Sequence, residues 1–391
     1  MDEYNFVGIL STAVKSNSSD IIFIPGQKPT LRAFNNLIEL ATENLKAEDT
    51  NWIAEHITRG RGIDWAKFME GEFSYEEKGS ARFRVSICQS QYNKIVVMRV
   101  IPKQNRTISE LNLPAQIADL ANLKHGLVLV TGEAGQGKST TAAAIVEEIN
   151  QNRRAFILTI EDPIEFIYEP NQALIGQREI GEDVNNYKEG VSHVLRQNPN
   201  IVFIGEIRDP ETFEAALTAA ETGRLVFSTM NSPNVITTID KIFRFYPEAE
   251  RETLKFRLSN NLRAILSLKL LKRKVPNVDG KMPELFLIPA CELMVSSPVI
   301  KNLIMLGSGV VEKFINIEGL HTLPIISDKS NQSNSEIINF LDIIKGVIDR
   351  EGQTLLDDNA KMFSFDQYIS SLLQQGEIEP ETAKTFCANS N

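Results

Sequence analysis

Apolar residues recur along this chain in two different rhythms. Near the start, Phe6, Ile9, Leu10 and Val14 fall at helical spacing and predict a helix over residues 4–16. Short apolar or alternating runs then predict strands at 20–24, 30–34, 82–88 and 94–100, with a helix at 46–58 among them. This mixture describes an α+β domain over residues 1–100 without a catalytic signature of its own. Residues 101–114 (I-P-K-Q-N-R-T-I-S-E-L-N-L-P) are polar with proline near each end, the composition of a linker.

From residue 115 to 391 the rhythm changes. Unbroken apolar runs predict strands at 126–131, 154–160, 201–204 and 224–229, and helical patterns at 140–150, 187–197 and 210–221 lie between them. Apolar strands alternating with helices specify an α/β architecture, a parallel sheet covered on both faces. Beyond Leu271 one further strand is expected at 285–289, followed by mainly helical sequence. Residues 328–336 (D-K-S-N-Q-S-N-S-E) read as a flexible loop. No internal repeat is visible.

Composition narrows the function classes. At 391 residues two domains are expected, and 42% hydrophobic with 24% charged residues is ordinary globular composition. The formal net charge of −10 argues against a dedicated nucleic-acid binder. Lys269, Lys272, Arg273 and Lys274 form the best basic cluster, read as a solvated helix end. Cys88, Cys291 and Cys387 are far apart, so neither a zinc site nor a disulfide framework is indicated. The start M-D-E-Y-N-F-V lacks the blocks of a signal peptide, and no apolar run approaches a bilayer span. A soluble, cytoplasmic protein is expected, reaching any membrane through a partner.

The sharpest chemistry sits at the first strand of the second domain. Gly132, Glu133, Ala134, Gly135, Gln136, Gly137, Lys138 and Ser139 fit G-x-x-x-x-G-K-[ST] at every fixed position, and Thr140 follows at the start of a helix. A strand, a glycine loop and a helix N-terminus together make a phosphate cradle. Backbone amides converge on the anion, the lysine adds a point charge, and Ser139 can hold Mg²⁺. The expected ligand is a nucleotide with Mg²⁺.

Ligands of open parallel sheets bind beyond the carboxyl ends of the strands. Three further strand ends here are chemically loaded: T-I-E-D-P-I-E with Glu161, Asp162 and Glu165; G-E-I-R-D with Glu206, Arg208 and Asp209; and S-T-M-N-S with Thr229 and Asn231. Glu206 follows I-V-F-I-G, the position of a carboxylate that holds the metal, directly or through water. Glu161 can polarise the attacking water or share the metal's outer shell, and the sequence leaves the two roles undivided. Asn231 can sense a γ-phosphate through its amide or cap a helix. Asp162 before proline can be a turn former, and Arg208 with Asp209 a structural pair.

Arg82 and Arg84 share one face of a strand whose other face carries Phe83 and Val85, and Arg99 lies on the next strand. Taken alone, these arginines suit either a solvated sheet face or anion recognition.

Taken in order, these segments resemble the ring-forming ATPases of type II and type IV secretion and of type IV pili, on the pilus-retraction branch. A-R-F-R-V (81–85) is similar to the family's arginine strand, T-I-E-D-P-I-E (159–165) to its Asp box, and L-R-Q-N-P-N-I-V-F-I-G-E-I-R-D (195–209) to its Walker B segment. L-T-A-A-E-T-G-R-L-V-F-S-T-M-N-S (217–232) is similar to its His box. S-P-V-I-K-N-L-I (297–304) resembles a C-terminal motif tied to retraction, and G-Q-T-L-L-D (352–357) a late helix start. The resemblance implies an N-terminal PAS-like domain, a RecA-like ATPase domain with a helical C-terminal extension, and a homo-hexamer. It also implies ATP held between the two domains, rotation about the linker, and Arg82, Arg84 and Arg99 reaching the nucleotide of a neighbouring subunit. The implied partners are an inner-membrane pilus platform protein and a paralogous pilus ATPase. The tetracysteine zinc site and longer N-terminal region of many assembly members have no counterpart here.

The chain departs from this pattern at informative places. The two His-box histidines are replaced by Arg224 and Asn231, which implies slow hydrolysis, because an asparagine is neither acid nor base near neutral pH. Lys301 stands where arginine is usual, and the region 306–336 is long for the family. The alternative reading is therefore an ATP-binding, weakly hydrolysing subunit of a type IVb pilus or a secretion system.

Overall fold

The computed structural model describes residues 1–16, 18–33, 36–77, 81–91, 93–101, 105–273, 287–306 and 365–388. The chain divides into two compact units. One comprises Met1–Asn105, Ile160–Pro170 and Ile175–Asn186; the other comprises Arg106–Thr159, Asn171–Leu174 and Tyr187–Asn391.

The first unit opens with α1 (Glu3–Lys15), started by an Asp2 side chain that accepts from the Asn5 amide. Six strands follow: β1 (Asp20–Phe23), β2 (Thr30–Ala33), β3 (Asn36–Glu39), β4 (Glu70–Glu77), β5 (Ala81–Ser90) and β6 (Asn93–Ile101), with α2 (Ala47–Ile57) between β3 and β4. They form one sheet in the order β3-β2-β1-β6-β5-β4, and every pairing is antiparallel. One face is packed: Phe6 and Leu10 of α1, Ile53 of α2, and Phe23, Phe83, Val85 and Met98 of the strands are all fully buried. The alternation at 82–85 is realised, with Phe83 and Val85 inward and the arginines on the opposite face. The sequence reading lacks β3 and β4. Every residue of β3 is exposed, and β4 (E-G-E-F-S-Y-E-E) is an edge strand with no fully buried residue, so neither shows the apolar run that announces a strand.

The second sheet runs β13-β12-β7-β11-β10-β8-β9. Its strands are β7 (Gly126–Gly132), β8 (Phe156–Glu161), β9 (Leu174–Glu179), β10 (Ile201–Ile207), β11 (Leu225–Asn231), β12 (Leu262–Lys272) and β13 (Leu287–Val295). β7 pairs in parallel with both β11 and β12, and β10 pairs in parallel with β11. Every residue of β7 is buried, as a central parallel strand requires. β13 runs antiparallel to β12, which closes the parallel series.

The helices of this half are α3 (Lys138–Asn152), α4 (Tyr187–Arg196), α5 (Pro210–Glu221), α6 (Val235–Arg244), α7 (Arg251–Asn261), α8 (Pro298–Leu306), α9 (Phe365–Gln374) and α10 (Pro380–Ala388). The expected α/β class is observed. The sequence reading lacks β9, β12, α6 and α7. It also places the last strand at 285–289; residues 285 and 286 lie outside the described residues, and β13 continues to Val295. Lys269 and Lys272 belong to strand β12 rather than a helix end, and Arg273 is bonded to Glu377 at 2.8 Å. Lys274, the loop expected at 328–336, the late helix start at 352–357 and all of the long region beyond Leu306 lie outside the described residues.

Candidate functional site

The glycine loop is built by its neighbours as much as by its own sequence. β7 ends at Gly132, whose φ of 150° and position leave no room for a side chain: a Cβ there would lie 2.7 Å from the Leu268 carbonyl oxygen of β12. Gly137 ends the loop at φ 86° and is the N-cap of α3, with no side chain to cap the first turn. The amides that open α3 are therefore left for an anion, at the positive end of a helix dipole. Gln136 fastens the loop to the sheet, its Oε1 accepting from the Leu270 amide at 2.6 Å. Thr131 and Ser267, both fully buried, share a hydrogen bond of 2.7 Å beneath it. Lys138 Nζ donates to the loop's own Glu133 carbonyl at 3.0 Å, so the ammonium curls over the cradle. Glu133, Ala134 and Gly135 are exposed, while Ser139 and Thr140 are half-buried.

Two further strand ends lie on the same edge of the sheet as the loop. Asn231 of β11 pairs with Gly132 of β7, and Glu206 of β10 pairs with Thr229 of β11. The ladder slips between Ile204 and Glu206, an irregularity of the kind that re-aims a side chain. Glu206 is half-buried and accepts from Arg208 Nε at 2.7 Å. Arg208 thus pairs with Glu206 rather than with Asp209. Asp209 instead caps α5, accepting from the Thr212 amide at 2.7 Å. Asn231 is not a helix cap either, because Asn234 takes that place at α6. The Asn231 side chain is exposed, and its main-chain carbonyl accepts from Lys241 Nζ at 2.8 Å.

The two His-box departures lie at opposite ends of β11. Asn231 closes the strand beside Gly132. Arg224 precedes it, and its guanidinium donates to the carbonyls of Thr222 at 2.9 Å and Leu195 at 3.3 Å and to Asn198 Oδ1 at 3.0 Å. Six residues lie between them, so they stand about 23 Å apart at strand rise. Arg224 is accordingly a brace at the amino end of the sheet.

Glu161 ends β8 and belongs to the first unit, where it is buried and accepts from Gln177 Nε2 at 3.2 Å. The Asp162–Pro163 peptide that follows is cis. The arginine face of the first unit carries carboxylates at each position. Arg82 Nη2 lies 2.8 Å from Glu179, Arg84 lies 2.6 Å from Glu72 and 3.0 Å from Glu165, and Arg99 lies 3.1 Å from Asp20. Arg84 and Arg99 are cross-strand partners. Glu179 and Lys241 have no signal in the sequence: Glu179 holds a group 97 positions away and Lys241 one ten positions away, and no local spacing announces either contact. Gln136 is legible as a loop residue, but its bond to the Leu270 amide is not.

A glycine loop between the buried central strand of a parallel sheet and an uncapped helix start, flanked by a carboxylate and an amide on the next strand ends, defines a P-loop nucleoside-triphosphatase domain. The sequence profile of the family described as "Type II/IV secretion system protein" matches residues 8–293. The chain is 31% identical over 388 residues to a "Twitching motility protein" of Neisseria gonorrhoeae, covering 99% of this chain and 91% of that one. It is 35% identical over 297 residues to the "Type IV pilus retractation ATPase PilT" of Pseudomonas aeruginosa, covering 76% and 84%. Its fold superposes on the crystal structure of the pilus retraction motor PilT with bound ADP at a TM-score of 0.76 and 28% identity, over 98% and 96% of the two chains. The chain belongs to the type II/IV secretion system protein family and is a PilT-like ATPase within it. Among the described residues, no helix is long and apolar enough to cross a membrane.

Proposed function

We propose that this chain is an ATP-driven motor for pilus retraction, working as a homo-hexamer with Mg²⁺–ATP on the P-loop. The observation that carries the reading is the convergence on one sheet edge of Asn231, in register with Gly132, and of Glu206 near the end of the next strand β10, with the loop feeding an uncapped α3.

Gly132, Glu133, Ala134, Gly135, Gln136, Gly137 and Thr140 shape the cradle or offer it backbone amides. Lys138 neutralises the β- and γ-phosphates. The Ser139 hydroxyl and the Glu206 carboxylate are hard oxygen donors suited to Mg²⁺, which holds several waters and takes few protein ligands. The metal supplies charge neutralisation at the transferring phosphoryl group. Glu161 orients the attacking water or supports the metal's outer shell. Arg82, Arg84 and Arg99 act on the nucleotide of a neighbouring subunit, which requires them to exchange their carboxylate partners for phosphate. Rotation about residues 101–114 converts turnover into movement, delivered to an inner-membrane platform protein that brings this cytoplasmic ring to the membrane.

Turnover by the purified protein tests the site. Lys138→Ala and Glu206→Ala are each expected to reduce it by about a hundredfold or more, and unchanged turnover in both would remove the assignment. Asn231 in the place of a His-box histidine favours a second reading, a slow ATPase that joins a ring beside a faster paralogue. Asn231→His raises turnover if that residue limits the rate; no gain would remove Asn231 as the cause.

A further inference from the structure

Among the described residues, Lys241 reaches from a helix back to the end of β11, and nothing in its local sequence suggests why. It lies in the last turn of α6, where a lysine ordinarily serves the helix dipole. Here its ammonium instead donates to the main-chain carbonyl of Asn231 at 2.8 Å, closing a loop of ten residues. Lys241 makes no other hydrogen bond or ion pair among the described residues.

The helix that presents it is firmly held. Asn234 caps its start, accepting from the Thr237 amide at 2.8 Å. The buried Glu292 carboxylate of β13 accepts from the Val235 amide at 2.9 Å. Val235, Ile239, Ile242 and Phe243 bury its apolar face. The ammonium therefore stands on a base fixed at the amino end and along one side.

Its target is equally specific. Asn231 is the last residue of β11 and the register partner of Gly132, where the P-loop begins. The next residue, Ser232, bridges back to Gly132. The exposed Asn231 amide makes no hydrogen bond among the described residues, so its backbone alone sets where the side chain starts. That backbone is held by the ladder on one side and by Lys241 on the other.

We propose that Lys241 is a positioning residue for Asn231 in ATP turnover, fixing the strand end so that the amide meets the γ-phosphate side of the cradle. The inference rests on the ATPase reading of this edge. A charged donor to a single carbonyl holds it more firmly than a neutral one, and a small misplacement of a group that acts on the reacting phosphate lowers the rate rather than the affinity.

The test is steady-state ATP turnover of the full chain with Mg²⁺, for Lys241→Met and Lys241→Arg in the parent and in an Asn231→Ala background. Binding of a fluorescent ATP analogue and the melting midpoint are measured alongside. In the parent background, Lys241→Met is expected to lower kcat about tenfold, with KM, analogue binding and melting near the parent values. Lys241→Arg is expected to recover most of kcat. With Asn231→Ala already present, Lys241→Met should cause no further loss. An unchanged kcat, an equal loss in both backgrounds, or a higher KM at constant kcat overturns the proposal. If Lys241→Met does not fold, Lys241→Gln replaces it, with an intermediate loss expected and full parental turnover overturning it. If the parent turns over ATP no faster than Lys138→Ala, the ATPase reading fails and this inference with it. Parental turnover that ignores Lys241 removes only the inference.

Discussion

Replacing Arg82 by alanine is expected to destabilise the first unit as well as impair turnover, and the two effects can be separated. Glu179 is almost wholly buried, with a side-chain exposure of 5%, and Arg82 is 19% exposed. The Glu179 carboxylate receives Arg82 Nη2 at 2.8 Å and the Ile164 amide at 3.2 Å. Removing Arg82 leaves a buried carboxylate with one backbone donor in place of a guanidinium. Breaking a buried pair from one side costs about 3–5 kcal/mol, and partial exposure of Arg82 lowers the expectation to about 2–4 kcal/mol. Glu179→Gln retains an acceptor for the Ile164 amide and strands only a partly exposed cation, so about 1 kcal/mol is expected. An Arg82→Met/Glu179→Leu double variant removes both charges and should cost less than Arg82→Ala alone. Urea unfolding followed by tryptophan fluorescence is the appropriate assay, because Trp52 and Trp65 are the chain's only two tryptophans and both belong to the first unit. A shift of the midpoint at constant slope reports stability. A stability loss below about 0.5 kcal/mol for Arg82→Ala, or strict additivity of the paired substitutions, would refute the argument. A double variant that recovers stability while turnover stays low would support a role for Arg82 on a neighbouring nucleotide.

Two other outcomes follow from the geometry. Gly132→Ala forces a Cβ toward the Leu268 carbonyl, and a strained backbone of this kind costs about 1–3 kcal/mol; a lower melting midpoint and lost binding of the ATP analogue are expected, and parental behaviour in both would contradict the clash. In the second unit, Arg257 Nη2 lies 2.7 Å from Glu214, and its Nε lies 2.7 Å from Glu221. Hydrogen bonding from Arg257, against the opposing effect of burial, holds the Glu214 carboxyl below its ordinary 4.5, and the Tyr246 hydroxyl adds a further hydrogen bond. A depressed folded-state value means that this stabilisation is complete above about pH 5 and is lost as the pH falls through the folded value. The stability difference between the parent and Glu214→Gln should therefore be constant from neutral pH to about pH 5 and shrink below it; a difference that holds unchanged to pH 3 in denaturant titrations would show that Glu214 does not contribute in this way.

Local patterns account for what was legible. Central parallel strands are apolar on both faces, so β7, β10 and β11 stand out as unbroken runs. The P-loop is legible because its chemistry needs small residues and a lysine at fixed spacing. Edge strands β3 and β4 leave no such mark, because solvent on one or both sides removes the apolar signal. β12 is apolar in sequence, yet its role as parallel neighbour of β7 depends on a crossover through α6 and α7 that no local stretch announces. Asp209 and Asn234 show the same limit in the site: both are caps, and only the fold distinguishes them from Glu206 and Asn231 a few residues away.

The sequence by itself determined the α/β class, the phosphate cradle and the family, because these rest on periodicity and on motifs contiguous in the chain. The tertiary structure alone decided that Arg224 braces the far end of β11 while Asn231 adjoins Gly132. It alone decided that Arg82 is tied to Glu179 and that Lys241 holds the Asn231 carbonyl. These contacts join residues from 10 to 97 positions apart. Which of many charged groups meet across such separations depends on strand order, register and the path of each crossover, and those are set by packing the whole sheet rather than by any local stretch of sequence.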